Sequence, residues 1–164
     1  MKFFAVSQTS CALDPIICAA VIHGNQSGIM LKAVIDTNVL VAGLRSKQGS
    51  AFRILNAAAR KQFIPALSVP LYCEYLDVLS RPGMAPLTVA QIGTFCLSLA
   101  SISEIHDIYF LWRPLLTDPK DDMVLEIAVT AGVSHIITFN IRDFSAAKAF
   151  GITPVQPSSF ISLL

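Results

Sequence analysis

The chain carries little charge, and what it has is nearly balanced. Lys and Arg number 12 against 11 Asp and Glu in 164 residues, a formal net charge of +1. A basic excess, the usual footprint of non-specific nucleic-acid binding, is absent, so local patches would have to meet any polyanionic partner. No run of about 18 apolar residues occurs, so no membrane-spanning helix is expected. The four cysteines, Cys11, Cys18, Cys73 and Cys96, form no CxxC pair, and no histidine stands at zinc-finger spacing from them. Neither a zinc site nor a disulfide framework is expected, and a reducing compartment, the cytoplasm, is the default. No GxGxxG turn and no P-loop is present, so the usual dinucleotide and nucleotide cradles are missing. His23, His106 and His135 offer no credible partner for a Ser or Cys nucleophile, and each reads as a structural histidine.

Core material is plentiful: 54% of residues are hydrophobic. That supply and the length fit one ordinary domain and argue against a disordered chain. Residues 1–29 read differently. They show no convincing period, Asp14-Pro15 breaks their apolar stretch, and they end in the loop-like His23-Gly24-Asn25-Gln26-Ser27-Gly28. A clean export signal has an unbroken apolar segment, so export is not expected. Met30 is expected to be the natural start, with 1–29 a non-native or disordered extension and 30–164 the domain. A tryptic peptide from residues 3–29 of the native protein would refute this.

From Met30 the chain alternates between strand-like and helical patterns. Ala33-Val34-Ile35 reads as a strand buried on both faces. Val39 to Leu44 and Ser50 to Lys61 read as helices, the second capped by Ser50. Phe63 to Ser68 reads as a strand, placed at an edge because Pro65 cannot donate to a ladder. Ser68 caps a helix to Ser80, with Val69, Tyr72, Cys73, Leu76 and Leu79 as its apolar stripe, and Arg81-Pro82-Gly83 stops it. Thr88 caps another, with the stripe Val89, Ile92, Phe95, Cys96 and Leu99. A short strand follows at Ile102 to His106. Asp118-Pro119 opens a helix that Gly132 ends. Ser134 to Thr138 is a strand, and a short helix near Asp143 to Phe150 and a strand near Thr153 to Val155 follow. This alternation predicts an α/β fold with a mostly parallel sheet, whose ligands bind outside the strands' carboxyl ends.

Acidic and amide residues collect at those ends. Asp36-Thr37-Asn38 follows the first strand directly. Its ordinary reading is a helix N-cap; its functional reading makes Asp36 a metal ligand. Glu74 shares a helix face with Asp77 and Arg81, which fits local pairing on a solvated face equally well. Asp118, Asp121 and Asp122 suit a helix start, as N-cap, capping-box partner and dipole-matched acid. Asp121, however, prolongs the Val124, Ala128 and Ala131 face, expected to be buried, where a carboxylate needs a partner or a cation. Asp122 falls with Leu125, Glu126 and Val129, expected to be nearer the outside. Asn140 and Asp143 follow the strand ending at Thr138, where turn and cap roles also suit them. Carboxylates gathered at one edge would repel, and a hard divalent cation removes that conflict.

From about Leu31 onward the chain resembles the PIN-domain family of small ribonucleases, which includes the VapC-type toxins of toxin–antitoxin systems. The resemblance rests on AVIDTNVLVAGL, SVPLYCEYLDVLSRP, RPLLTDPKDDMVLEIAVTAG and HIITFNIRDF, in that order. It implies a Rossmann-like, three-layer α/β/α domain. It implies that Asp36, Glu74 and Asp121 are the catalytic, metal-holding carboxylates for Mg²⁺ or Mn²⁺, with Asp118 and Asp122 as near neighbours. Asn140 departs from the acidic residue often found at its position, and the resemblance implies that Asp143 helps from further out. Thr37, Asn38 and Thr138 are implied as supporting residues that orient ligands or phosphate. The implied activity is metal-dependent cleavage of single-stranded RNA, with a cognate antitoxin and a homodimer as partners. The non-enzymatic alternative is a degenerate domain that only binds RNA or protein. A haloacid-dehalogenase-like phosphatase is disfavoured, because it needs an Asp where this chain has Asn38.

Overall fold

A computed structural model of the chain describes residues 30–109, Arg113, Leu116 and residues 118–164. The expected extension over residues 1–29 lies outside the described residues. The elements run β1 (Lys32–Ile35), α1 (Thr37–Arg45), α2 (Ser50–Ala59), β2 (Ile64–Leu67), α3 (Val69–Ser80), α4 (Val89–Ser101) and β3 (Glu104–Ile105). They continue with α5 (Pro119–Thr130), β4 (His135–Ile137), a 3₁₀ helix (Ser145–Phe150), β5 (Thr153–Val155) and α6 (Pro157–Ile161).

The five strands form one all-parallel sheet in the order β3-β2-β1-β4-β5, flanked by helices, which is the α/β class the alternation predicts. Ala33, Val34 and Ile35 at its centre are at most 1% exposed, as expected of a strand covered on both faces. The chain runs outward from β1 through β2 to β3, then returns to lay β4 and β5 on the other side of β1. That reversal puts the topological switch point between β1 and β4, where open parallel sheets bind their ligands. Register pairs Ile35 with Ile137, so the two strands finish level and Asp36 and Thr138 emerge together. Among the described residues, no helix is long and apolar enough to cross a membrane.

Local physics explains where the elements depart from expectation. Strand β2 is not an edge: it lies between β1 and β3. The Ile64 N–H donates to the Leu31 carbonyl at 2.9 Å. By strand alternation, the Pro65 nitrogen then faces the β3 side. There β3 pairs only from Ala66 onward, so the proline forfeits no ladder bond. On α3 the buried stripe is Leu71, Tyr75 and Leu79, whereas Val69 is 61% exposed and Cys73 is exposed. On α4, Ile92, Cys96 and Leu99 are buried and Val89 is exposed at the first turn. Ser68 caps α3 through Leu71 N, and Thr88 with Gln91 forms a capping box on α4. The closing helix α6 sends Phe160 into the core edge-on to Phe63, ring centroids 5.0 Å apart.

Helix α5 is the main departure. Val124 through Ala128 are all buried, Glu126 among them, so the helix has no outer face there. Asp122, expected on the outside, is 1% exposed, and its Oδ1 accepts from Leu116 N at 2.9 Å. Glu126 holds Arg113 by a two-pronged ion pair, at 3.1 Å to Nε and 3.0 Å to Nη2. These two acids tie α5 to the segment before it. Gly132, in the left-handed region at φ +60°, ends the helix.

Candidate active site

Asp36 occupies the N-cap position of α1 in extended conformation, yet its side chain makes no capping hydrogen bond. Capping is therefore not the main role of that side chain. The carboxylate turns to the sheet edge instead. Its Oδ2 accepts from the Thr138 hydroxyl at 2.6 Å and from the Asn38 side-chain amide at 2.6 Å. Asn38 Nδ2 also lies 3.3 Å from Thr138 Oγ1. Thr138 Oγ1 accepts from the Asn140 N–H at 2.9 Å, and Asn38 Oδ1 accepts from the Phe139 N–H at 3.4 Å. One network thus binds the ends of β1 and β4 around a single buried carboxyl. Thr37 is half-buried at the start of α1, and the side-chain contacts run through Asn38 instead.

Burial pushes the Asp36 carboxyl above the ordinary Asp value. The Thr138 hydroxyl, the backbone amides of Asn38 and Thr37, which fall short of capping geometry, and the Asn38 side chain pull it back only in part. Asp121, in the first turn of α5, is pushed up to about 6, first by burial and then by the negative charge of Asp36. Asp118, Asp143 and Asp122 add to that repulsion. Asp118 is the N-cap of α5, accepting from Lys120 N at 2.9 Å. Asp143 is exposed in the turn after β4, where its N–H donates to the Asn140 carbonyl. The fold therefore draws Asp36, Asp121, Asp118 and Asp143 into one field. It places Asp122 in a structural bond to Leu116 and leaves Asn140 exposed, holding Thr138 through its backbone.

Glu74 is half-buried on α3, beside the stripe that packs inward. Helix α3 contacts both α1 and α5. Among the described residues, no three His, Cys, Asp or Glu side chains stand close enough together to hold a metal ion. Among the acids that act on Asp121, Asp36 comes first. A carboxylate pair suits Mg²⁺, which takes one or two carboxylates and keeps several waters for substrate oxygens to replace. A carboxylate whose charging is opposed by a neighbouring carboxylate, as that of Asp121 is by Asp36, is what a divalent cation relieves.

Sequence reasoning overlooks Tyr75. Its ring is fully buried, and its hydroxyl donates to the Ile35 carbonyl, the peptide directly before Asp36. The i, i+4, i+8 spacing of Leu71, Tyr75 and Leu79 is the signal that marks it.

Residues 32–142 match the family model of the PIN domain. No curated protein matches the chain significantly.

Proposed function

As this chain belongs to the PIN-domain family, we propose that it is a metal-dependent ribonuclease acting on single-stranded RNA. PIN domains are in general nucleases and typically use divalent metal ions. In our reading Asp36 and Asp121 hold Mg²⁺ or Mn²⁺, and Glu74 on α3 is the further acid that the family resemblance assigns to the site. The observation that carries it is a buried carboxyl, Asp36, held by Thr138 at the switch point of the sheet, whose charge bears on Asp121 in the first turn of α5. Neighbouring acids with no counter-charge in that position are costly to the fold, and a cation between them removes the cost.

When bound, the ion supplies Lewis-acid stabilisation of charge on the scissile phosphate. The chain's own residues do the rest. Thr138 and Asn38 fix one oxygen of Asp36 and so hold the carboxylate in place. Tyr75 holds the Ile35 peptide and hence the position of Asp36 along β1. Asp121, in the first turn of α5, would supply the second carboxylate to the ion.

The same reading makes the protein the toxin of a toxin–antitoxin pair in the cytoplasm, blocked by a small antitoxin and assembled as a homodimer. Exposed Val69, Leu97 and Ile105 around one apolar groove support a protein interface. Light scattering showing a monomer at high concentration removes the homodimer. A second reading, a degenerate domain that binds RNA or protein without cutting, is favoured by Asn140 in the often acidic position.

RNA cleavage with Mg²⁺ or Mn²⁺, with and without EDTA, tests the proposal on wild type and Asp36→Asn. Cleavage is expected only with metal and only in the wild type. Chelator-resistant cleavage or full activity in the variant overturns it. Binding of RNA by a wild type that never cuts selects the degenerate module.

A further inference from the structure

The Phe139 side chain has no place in the core or in the carboxylate network. It follows Thr138, which is fully buried with its hydroxyl on Asp36, yet Phe139 itself is 42% exposed. The backbone on both sides of the ring is pinned. The Phe139 N–H donates to Asn38 Oδ1 at 3.4 Å, and the Asn140 N–H donates to Thr138 Oγ1 at 2.9 Å. The ring is therefore rooted, one residue from a ligand-orienting side chain, on the side chains that orient Asp36. Two residues on, Ile141 is 38% exposed, and Arg142 after it is exposed too. A half-solvated aromatic and a half-solvated aliphatic residue thus flank Asn140 at the carboxyl edge of the sheet, where water would favour polar side chains.

We infer that Phe139, with Ile141 beside it, is a platform on which a base of a single-stranded nucleic acid stacks. The inference rests on the nuclease reading and says how that site selects its substrate. The electrostatics leave room for such a device. The chain has a net charge of +1, and Asp36, Asp121, Asp118 and Asp143 make the edge locally acidic. Phosphate contacts alone are therefore a poor source of affinity here. Stacking on an aromatic face adds roughly 1–3 kcal/mol per base, tolerates any base and asks only that the base be unpaired. Bases in a duplex already stack on each other and offer no free face, so this arrangement admits single strands and disfavours paired ones.

Binding measured in EDTA, by anisotropy of a labelled oligouridine, separates this from the nuclease question because no ion is needed. Wild type is compared with Phe139→Ala, Phe139→Leu and Phe139→Trp, each on the normal strand, its duplex with oligoadenosine and an abasic strand of equal length. Phe139→Ala is expected to weaken single-strand binding by about fivefold to a hundredfold. Phe139→Trp is expected to keep it. Phe139→Leu, similar in apolar bulk but without a π face, is expected to lose most of it at unchanged melting temperature. The abasic strand should respond to none of the variants. Equal binding of duplex and single strand, wild-type affinity in Phe139→Leu, equal losses on the abasic strand, or no single-strand binding by the wild type overturns the inference. Failure of metal-dependent cleavage with Phe139-dependent binding intact sinks the nuclease reading alone.

Discussion

Replacing Thr138 by Val tests the network around Asp36 with little change in shape. Thr138 is fully buried, so the change removes one hydroxyl from a packed site and puts a methyl in its place. The hydroxyl donates to Asp36 Oδ2 at 2.6 Å, a bond to a charged group. Such bonds contribute about 1.5–3 kcal/mol. The second bond, from the Asn140 N–H, sits at an exposed residue where water replaces it at little cost. Asn38 keeps its own bond to Asp36, so the carboxylate is weakened and not abandoned. The expected loss is therefore about 2–3 kcal/mol, a fall in melting temperature of roughly 4–12 °C for a chain of this size. Urea unfolding followed by far-ultraviolet circular dichroism should show a lower midpoint at an unchanged slope. Thr138→Ser should recover most of the loss, since it restores the donor and omits only a methyl. The gap between wild type and Thr138→Val should narrow in acid, where Asp36 takes its proton and the bond becomes neutral. A Val variant within about 0.5 kcal/mol of wild type, or a Ser variant as weak as Val, would refute this account of the network.

Tyr75→Phe removes a fully buried donor from the Ile35 carbonyl and should cost about 1–2 kcal/mol in thermal unfolding, with weaker divalent-ion binding because Asp36 follows that peptide. The raised carboxyl of Asp121 fixes the sign of a pH effect. A native state that holds this proton more tightly than the unfolded chain is favoured in acid and loses that contribution as pH rises through about 6. Added Mn²⁺ should therefore raise the melting temperature more at about pH 7 than at about pH 5, read by scanning fluorimetry; an equal rise at both contradicts the assignment. Gly43→Ala should cost about 1–3 kcal/mol, because the new Cβ would stand 2.7 Å from Leu55 Cδ1 and 3.2 Å from the Ala51 carbonyl carbon where α1 and α2 pack.

The sheet was legible because its strands are short buried apolar runs whose ends carry Asp36 and Thr138. The helix starts were legible because Ser68, Thr88 and Asp118 are capping residues with known chemistry. Faces were harder. Pro65 argues for an edge only if its nitrogen meets a neighbour, and β3 is too short to meet it. The α3 stripe contains enough apolar residues for two faces, and the sheet decides that Tyr75 and not Tyr72 goes fully inside. On α5, periodicity fails because the helix is buried nearly all round, so Asp122 and Glu126 lie inside and are held by partners 6 and 13 residues upstream. The acids near Asp36 could be nominated from position alone. Only the three-dimensional contacts separate Asp121, which feels the charge of Asp36, from Asp122, which bonds a backbone amide.

The central claim is that Asp36 and Asp121 share a divalent cation. Titrating Mn²⁺ into the metal-free protein, with the free ion followed by electron paramagnetic resonance, tests it without reference to any substrate. Wild type should take up the ion, more tightly as pH rises through about 6, and both Asp36→Asn and Asp121→Asn should lose that uptake while remaining folded. Uptake by Asp121→Asn equal to wild type, or none by the wild type at neutral pH, would contradict it.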